Sequence, residues 1–143
     1  MNPAPDAAPA WSRRSAVLAL DDPAAAGTAI FPPRWPFGAA TGRGMRVAVI
    51  DSGLLLDGGA ASRVKTTRDF TTGSVNPPHV SAVDPYGHGT HVAGLIGSNQ
   101  ADYKGVAPDV SYVSLRVLNA SGAGSTSSVI NALQWAVVNK AAY

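Results

Sequence analysis

Apolar and polar positions follow two different periods between residues 45 and 140, and the changes of period mark out the elements. Residues 45–50, Met-Arg-Val-Ala-Val-Ile, form an almost continuous apolar run with β-branched side chains, which predicts a strand buried on both faces. The turn Thr41-Gly42-Arg43-Gly44 leads into it and Asp51-Ser52-Gly53 ends it. A short strand is expected within residues 63–70, after a turn at Asp57-Gly58-Gly59, while residues 71–87 are rich in Thr, Gly, Ser, Asn and Pro and read as a loop. Pro85 and Gly87 then break the chain ahead of a predicted helix over residues 88–97. In that helix Thr90 is a local cap, and Val92, Ala93, Leu95 and Ile96 are interleaved with glycines, as suits tight packing. A polar connection over residues 98–104 and a turn at Gly105-Val106-Ala107-Pro108 precede a second core strand over residues 110–118. Val113, Leu115 and Val117 alternate there with Tyr112, Ser114 and Arg116, so one face is the more polar. Residues 119–124 read as a flexible segment of small side chains. The serines at 125, 127 and 128 offer N-caps to a last helix running to about Lys140, with Val129, Ile130, Leu133, Ala136 and Val137 at helical spacing. Strand, helix, strand, helix implies an α/β fold, a parallel sheet flanked by helices.

Residues 1–40 lack such periodicity. They are rich in proline and alanine and read as a poorly ordered lead-in to a domain over residues 41–143, with Pro32-Pro33-Arg34-Trp35-Pro36-Phe37 suited to polyproline II. A chain of 143 residues with 45% hydrophobic content can bury one core. Its net charge of +2, with no basic cluster longer than Arg13-Arg14, argues against a nucleic-acid or membrane-surface role. The absence of cysteine removes disulfides, thiolate nucleophiles and cysteine-based zinc sites. Ser12-Arg13-Arg14 has the look of an export signal, but the apolar run at residues 16–20 is shorter than a working signal needs. No stretch approaches the roughly 20 apolar residues of a membrane-spanning helix.

Two positions carry candidate chemistry. Asp51 closes a predicted buried parallel strand, where open α/β sheets place functional groups, although a turn or helix-capping aspartate would read the same way. His88 opens the glycine-rich helix, where the helix dipole disfavours the imidazolium and keeps the ring available as a base. Gly87 and Gly89 leave its ring approachable. For both His88 and His91 the bland alternative is a hydrogen-bonded structural histidine. A zinc site built on the two is weak, because no cysteine and no well-spaced third ligand accompanies them, so no metal is expected. A nucleotide site fails because Gly42 and Gly44 precede the strand instead of following it.

Three segments in one order, Val47-Ala48-Val49-Ile50-Asp51-Ser52-Gly53, His88-Gly89-Thr90-His91-Val92-Ala93-Gly94 and Gly105-Val106-Ala107-Pro108, give the chain from about Thr41 onward a form that resembles the subtilisin-like serine peptidases. The resemblance implies a subtilisin-like α/β domain and an Asp-His-Ser triad in that chain order, with Asp51 and His88 as its first two members. Ser52 is then placed to support the Asp51 carboxylate, and His91 has a structural role. The resemblance further implies that Leu118, Gly122, Ala123 and Gly124 form a strand edge that binds a polypeptide substrate in extended form. It implies a secreted bacterial protein. The loop over residues 98–104 is shorter than in the calcium-binding members, so no cofactor is expected and structural calcium has no support from this segment.

The family's nucleophilic serine, in a Gly-Thr-Ser-Met-Ala-like block, and its oxyanion-hole asparagine have no counterpart among the 143 residues. The expectation is an N-terminal portion of a serine endopeptidase domain, inactive alone, whose partner is the rest of its own catalytic domain. The alternative is a catalytically inactive peptide-binding or interaction module.

Overall fold

The computed structural model describes residues 40–143; the proline-rich lead-in, its polyproline stretch and the arginine pair lie outside the described residues. Three strands, β1 (Arg46–Asp51), β2 (Val64–Asp69) and β3 (Ser111–Arg116), and two helices, α1 (His88–Gly97) and α2 (Thr126–Asn139), follow in the order β1, β2, α1, β3, α2. The turn expected at residues 57–59 continues into a short 3-10 helix, Gly58–Arg63, immediately before β2. The sheet is parallel throughout, in the order β1-β3-β2. Its register sets Val49 against Ser114 and Asp51 against Arg116 on one side, and Asp69 against Arg116 on the other.

The two core strands exchange the burial expected of them. β3 is the central strand, and Tyr112, Val113, Ser114 and Leu115 are all buried, the serine included. β1 has a single partner strand among the described residues, and Arg46 and Ala48 are exposed. Position in the sheet decides this: a strand hydrogen-bonded on both edges and covered on both faces must bury whatever side chains it carries, whereas an edge strand need not bury even an apolar run.

Alternation along β3 divides the core in two. Val113, Leu115 and Val117 point to the side where Phe70, Ala132 and Trp135 lie. Tyr112 points the other way, into a cluster with Val49, Leu54, Ala93 and Val110. α2 covers the first side through Ser128, Ala132 and Trp135, with Val129 and Ala136 partly buried. Trp135 meets Phe70 edge-on at 6.4 Å between ring centres, carries the Arg68 guanidinium 5.2 Å from its own, and donates to Asn76 Oδ1 at 3.1 Å. Ile130, Leu133 and Val137, which were expected on the packed face, are more than half exposed. The helix carries two apolar stripes, and the one that contains Trp135 packs on the sheet.

α1 covers the second side. Its small residues let it lie close: Ala93 is buried, its carbonyl accepts from the Tyr112 hydroxyl at 2.7 Å, and a Cβ at Gly97 would collide with that hydroxyl. Because Asp51 is two residues beyond Val49 on β1, its side chain shares Val49's face and is aimed at the start of α1.

Candidate functional site

Asp51 and His88, 37 residues apart in sequence, meet where the C-terminal end of β1 faces the N-terminal end of α1. His88 Nδ1 is 2.8 Å from Asp51 Oδ1 and 2.9 Å from Oδ2. An ionised carboxylate can only accept, so Nδ1 carries the proton and Nε2 is left as the acceptor. The Asp51 side chain is 14% exposed and that of His88 56%, so a sheltered carboxylate orients a ring that is itself largely open to solvent. The approach is close because position 89 has no side chain. A Cβ there would run into the Gly53 carbonyl oxygen and stand 3.1 Å from the Asp51 Cβ.

Ser52 does not support Asp51 through its hydroxyl. Its backbone N–H donates to Asp51 Oδ1 at 2.7 Å, while its buried hydroxyl donates to Asp84 Oδ1 at 2.7 Å and accepts the Gly89 N–H at 3.0 Å. Thr90, expected as a local cap, does not cap the helix: Gly87 is the N-cap and no side chain caps it from within, while Thr90 donates both its N–H, at 2.7 Å, and its hydroxyl, at 2.6 Å, to Asp84. With the Gly87 N–H at 2.9 Å, Asp84 accepts four hydrogen bonds, three from the start of α1 and one from Ser52. Burial acts against its charge, but the bonds from Thr90, Ser52 and Gly87 outweigh it and hold the carboxyl below the ordinary aspartate value. Sequence reasoning gave Asp84 no role. The available signal was its spacing, three residues before Gly87 and six before Thr90, which suits a carboxylate capping the helix from outside.

His91, expected to be structural, is exposed on α1. The segment expected to be flexible is tied instead by Asn119, whose Oδ1 accepts from the Ser121 N–H, the Ser121 hydroxyl and the Ala123 N–H at 2.7 to 3.1 Å. Asn119 N–H donates to the Ala123 carbonyl at 2.8 Å, and Leu118 bridges to Gly124 in antiparallel fashion. This small hairpin starts beside Asp51, whose carbonyl accepts from the N–H groups of Val117 and Leu118 at 2.8 and 3.2 Å. Gly122 turns with φ of 75° under the Tyr86 ring, which leaves no room for a Cβ. Leu118, Gly122, Ala123 and Gly124 are thus brought to the same end of the sheet as Asp51 and His88. Among the described residues no three His, Cys, Asp or Glu side chains converge as a metal-ligating group, and no helix is long and apolar enough to cross a membrane.

A parallel α/β sheet with a carboxylate–imidazole pair across its carboxyl end defines the class. The family follows from comparison: the model of the subtilase family matches residues 42–143, and the chain belongs to that family. It is 43% identical over 101 residues to Alkaline elastase YaB of Bacillus sp. (strain YaB), covering 69% of this chain and 25% of the elastase. Subtilisin Savinase of Lederbergia lenta is 40% identical over 104 residues, covering 67% of this chain and 34% of Savinase. Among solved structures, Sphericase superposes with a TM-score of 0.62 at 36% identity, over 71% of this chain and 34% of that one. The chain therefore spans between a quarter and about a third of the length of these relatives.

Proposed function

We propose that this chain supplies the Asp-His half of a serine endopeptidase that hydrolyses peptide bonds in polypeptides. His88 Nε2 takes the proton of a serine hydroxyl as the oxygen attacks the peptide carbonyl, then returns it to the leaving amine. Asp51 holds the ring with Nδ1 protonated and stabilises the imidazolium that forms. Backbone of Leu118 and of Gly122, Ala123 and Gly124 pairs with the extended substrate, which needs no particular side chain. The single observation that carries the reading is the contact of His88 Nδ1 with both Asp51 oxygens, which leaves Nε2 free of that contact on a side chain that is 56% exposed. The serine and the oxyanion donor come from the rest of the catalytic domain. Without them, residues 1–143 have no triad-dependent activity. Relatives named as extracellular, such as the Extracellular serine proteinase of Thermus sp. (strain Rt41A), support action outside the cell.

A hybrid tests this directly. Residues 42–143 are exchanged into the matching part of Subtilisin Savinase, and the protein is assayed on casein and with a serine-reactive phosphonate. Hydrolysis and stoichiometric labelling are expected, with hydrolysis lost in His88→Ala. A folded hybrid that does neither overturns the reading.

A further inference from the structure

We infer that Asp84 is a positioning residue that sets the distance between Asp51 and His88, an inference that rests on the catalytic reading of that pair. The two side chains belong to different elements, and the chain between them runs through β2 and a long loop. Chain connectivity alone therefore does not hold the end of β1 against the start of α1; core packing of Val49, Leu54 and Ala93 brings the two elements together, and polar contacts fix their ends. The Asp84 carboxylate bonds to both. On the strand side, Oδ1 accepts the hydroxyl of Ser52, the neighbour of Asp51, whose own N–H donates to Asp51 Oδ1. On the helix side the same oxygen accepts the Gly87 N–H, and Oδ2 accepts both the N–H and the hydroxyl of Thr90. Two further bonds close the frame: Gly89 N–H to Ser52 Oγ at 3.0 Å, and Leu55 N–H to Thr90 Oγ1 at 3.0 Å. Gly87, Gly89 and Thr90 surround His88 in sequence, so every anchor of the frame lies within two residues of His88 or follows Asp51 within four.

Four accepted bonds on one side chain require a carboxylate. An asparagine offers one acceptor oxygen and an amide that cannot accept, so Asp84→Asn keeps either the Ser52 and Gly87 arm or the Thr90 arm but not both. An ordinary helix cap would cost stability when lost and nothing more. A positioning residue must also disturb the Asp51–His88 contact, and that can be read without an assay.

The test is proton NMR on the 143-residue chain, following the low-field line of the His88 Nδ1–H bonded to Asp51, assigned by its absence in His88→Ala, with a thermal melt of each variant. In Asp84→Asn the expected result is a folded chain in which the line is lost or exchange-broadened. Ser52→Ala, which removes the Ser52 bond to Asp84 together with the acceptor of the Gly89 N–H, should broaden it as well and decides the matter if Asp84→Asn does not fold. A line unchanged in position and width in the deciding variant reduces Asp84 to a cap and overturns the inference. A folded wild-type chain with no such line overturns the catalytic pairing itself, and the inference with it.

Discussion

At the scale of the residue, the close approach of two elements depends on what position 89 lacks. Gly89→Ala places a methyl group beside the Asp51 Cβ and against the Gly53 carbonyl, which is main chain that cannot swing aside. Such overpacking costs about 1–3 kcal/mol. We expect a lower melting temperature together with loss of the His88–Asp51 low-field proton line. Asp84 gives a pH dependence whose sign is fixed. Its folded-state pKa lies below the ordinary 3.8, so its ionised form contributes stability that is fully present above that value and is lost as pH falls through the lower folded-state value. Acid unfolding of Asp84→Asn should therefore show a shallower loss in that window, checked by melts across pH 2 to 5, a span that brackets the ordinary carboxylate range. The places of Asp51 at a strand end and of His88 at a helix start were legible in the sequence because both boundaries are marked by local pattern. The partner of the Ser52 hydroxyl was not, since a bond made across 32 residues leaves no local periodicity, and Asp84 is marked only by its spacing ahead of Gly87 and Thr90.

At the scale of the element, α2 shows where pattern is ambiguous. Val129, Ile130, Leu133, Ala136 and Val137 recur at helical spacing, yet the sheet takes Ser128, Ala132 and Trp135. A helix with two apolar stripes does not declare which one packs, and here a large aromatic with partners on β2 and in its following loop decides it. Trp135→Ala removes contacts to Phe70, Arg68, Asn76 and Tyr143 together and should cost about 3–5 kcal/mol in denaturant unfolding. Were Leu133→Ala to cost as much, the assigned face of the helix would be wrong. The exchange between β1 and β3 has a similar origin. An apolar run tells of burial wherever the strand sits, but the number of neighbours a strand has is a property of the sheet, and Ser114 is buried only because β3 is central.

At the scale of the whole molecule, the parallel sheet and the order of its elements were readable because each change of period falls near an element boundary. The strand order was not, since parallel pairing through β3 joins segments far apart in sequence. Ile130, Leu133, Val137 and Val138 leave an apolar surface on the outside of α2. Leu133→Lys with Val137→Lys should lower the binding of an apolar dye while leaving the melting temperature within about 0.5 kcal/mol of wild type in free-energy terms. Dye binding unchanged by the pair would locate the exposed apolar surface elsewhere.

The central claim is that Asp51 and His88 act as one catalytic unit, and a double-mutant cycle on turnover in the Savinase hybrid tests it most directly. Loss of a triad base costs on the order of 10⁶ in turnover, and once it is gone the group that orients it has little left to do. His88→Ala is expected to approach that loss, and adding Asp51→Ala should lower turnover little further. Losses that simply multiply, or a folded His88→Ala hybrid that keeps its turnover, would contradict the account.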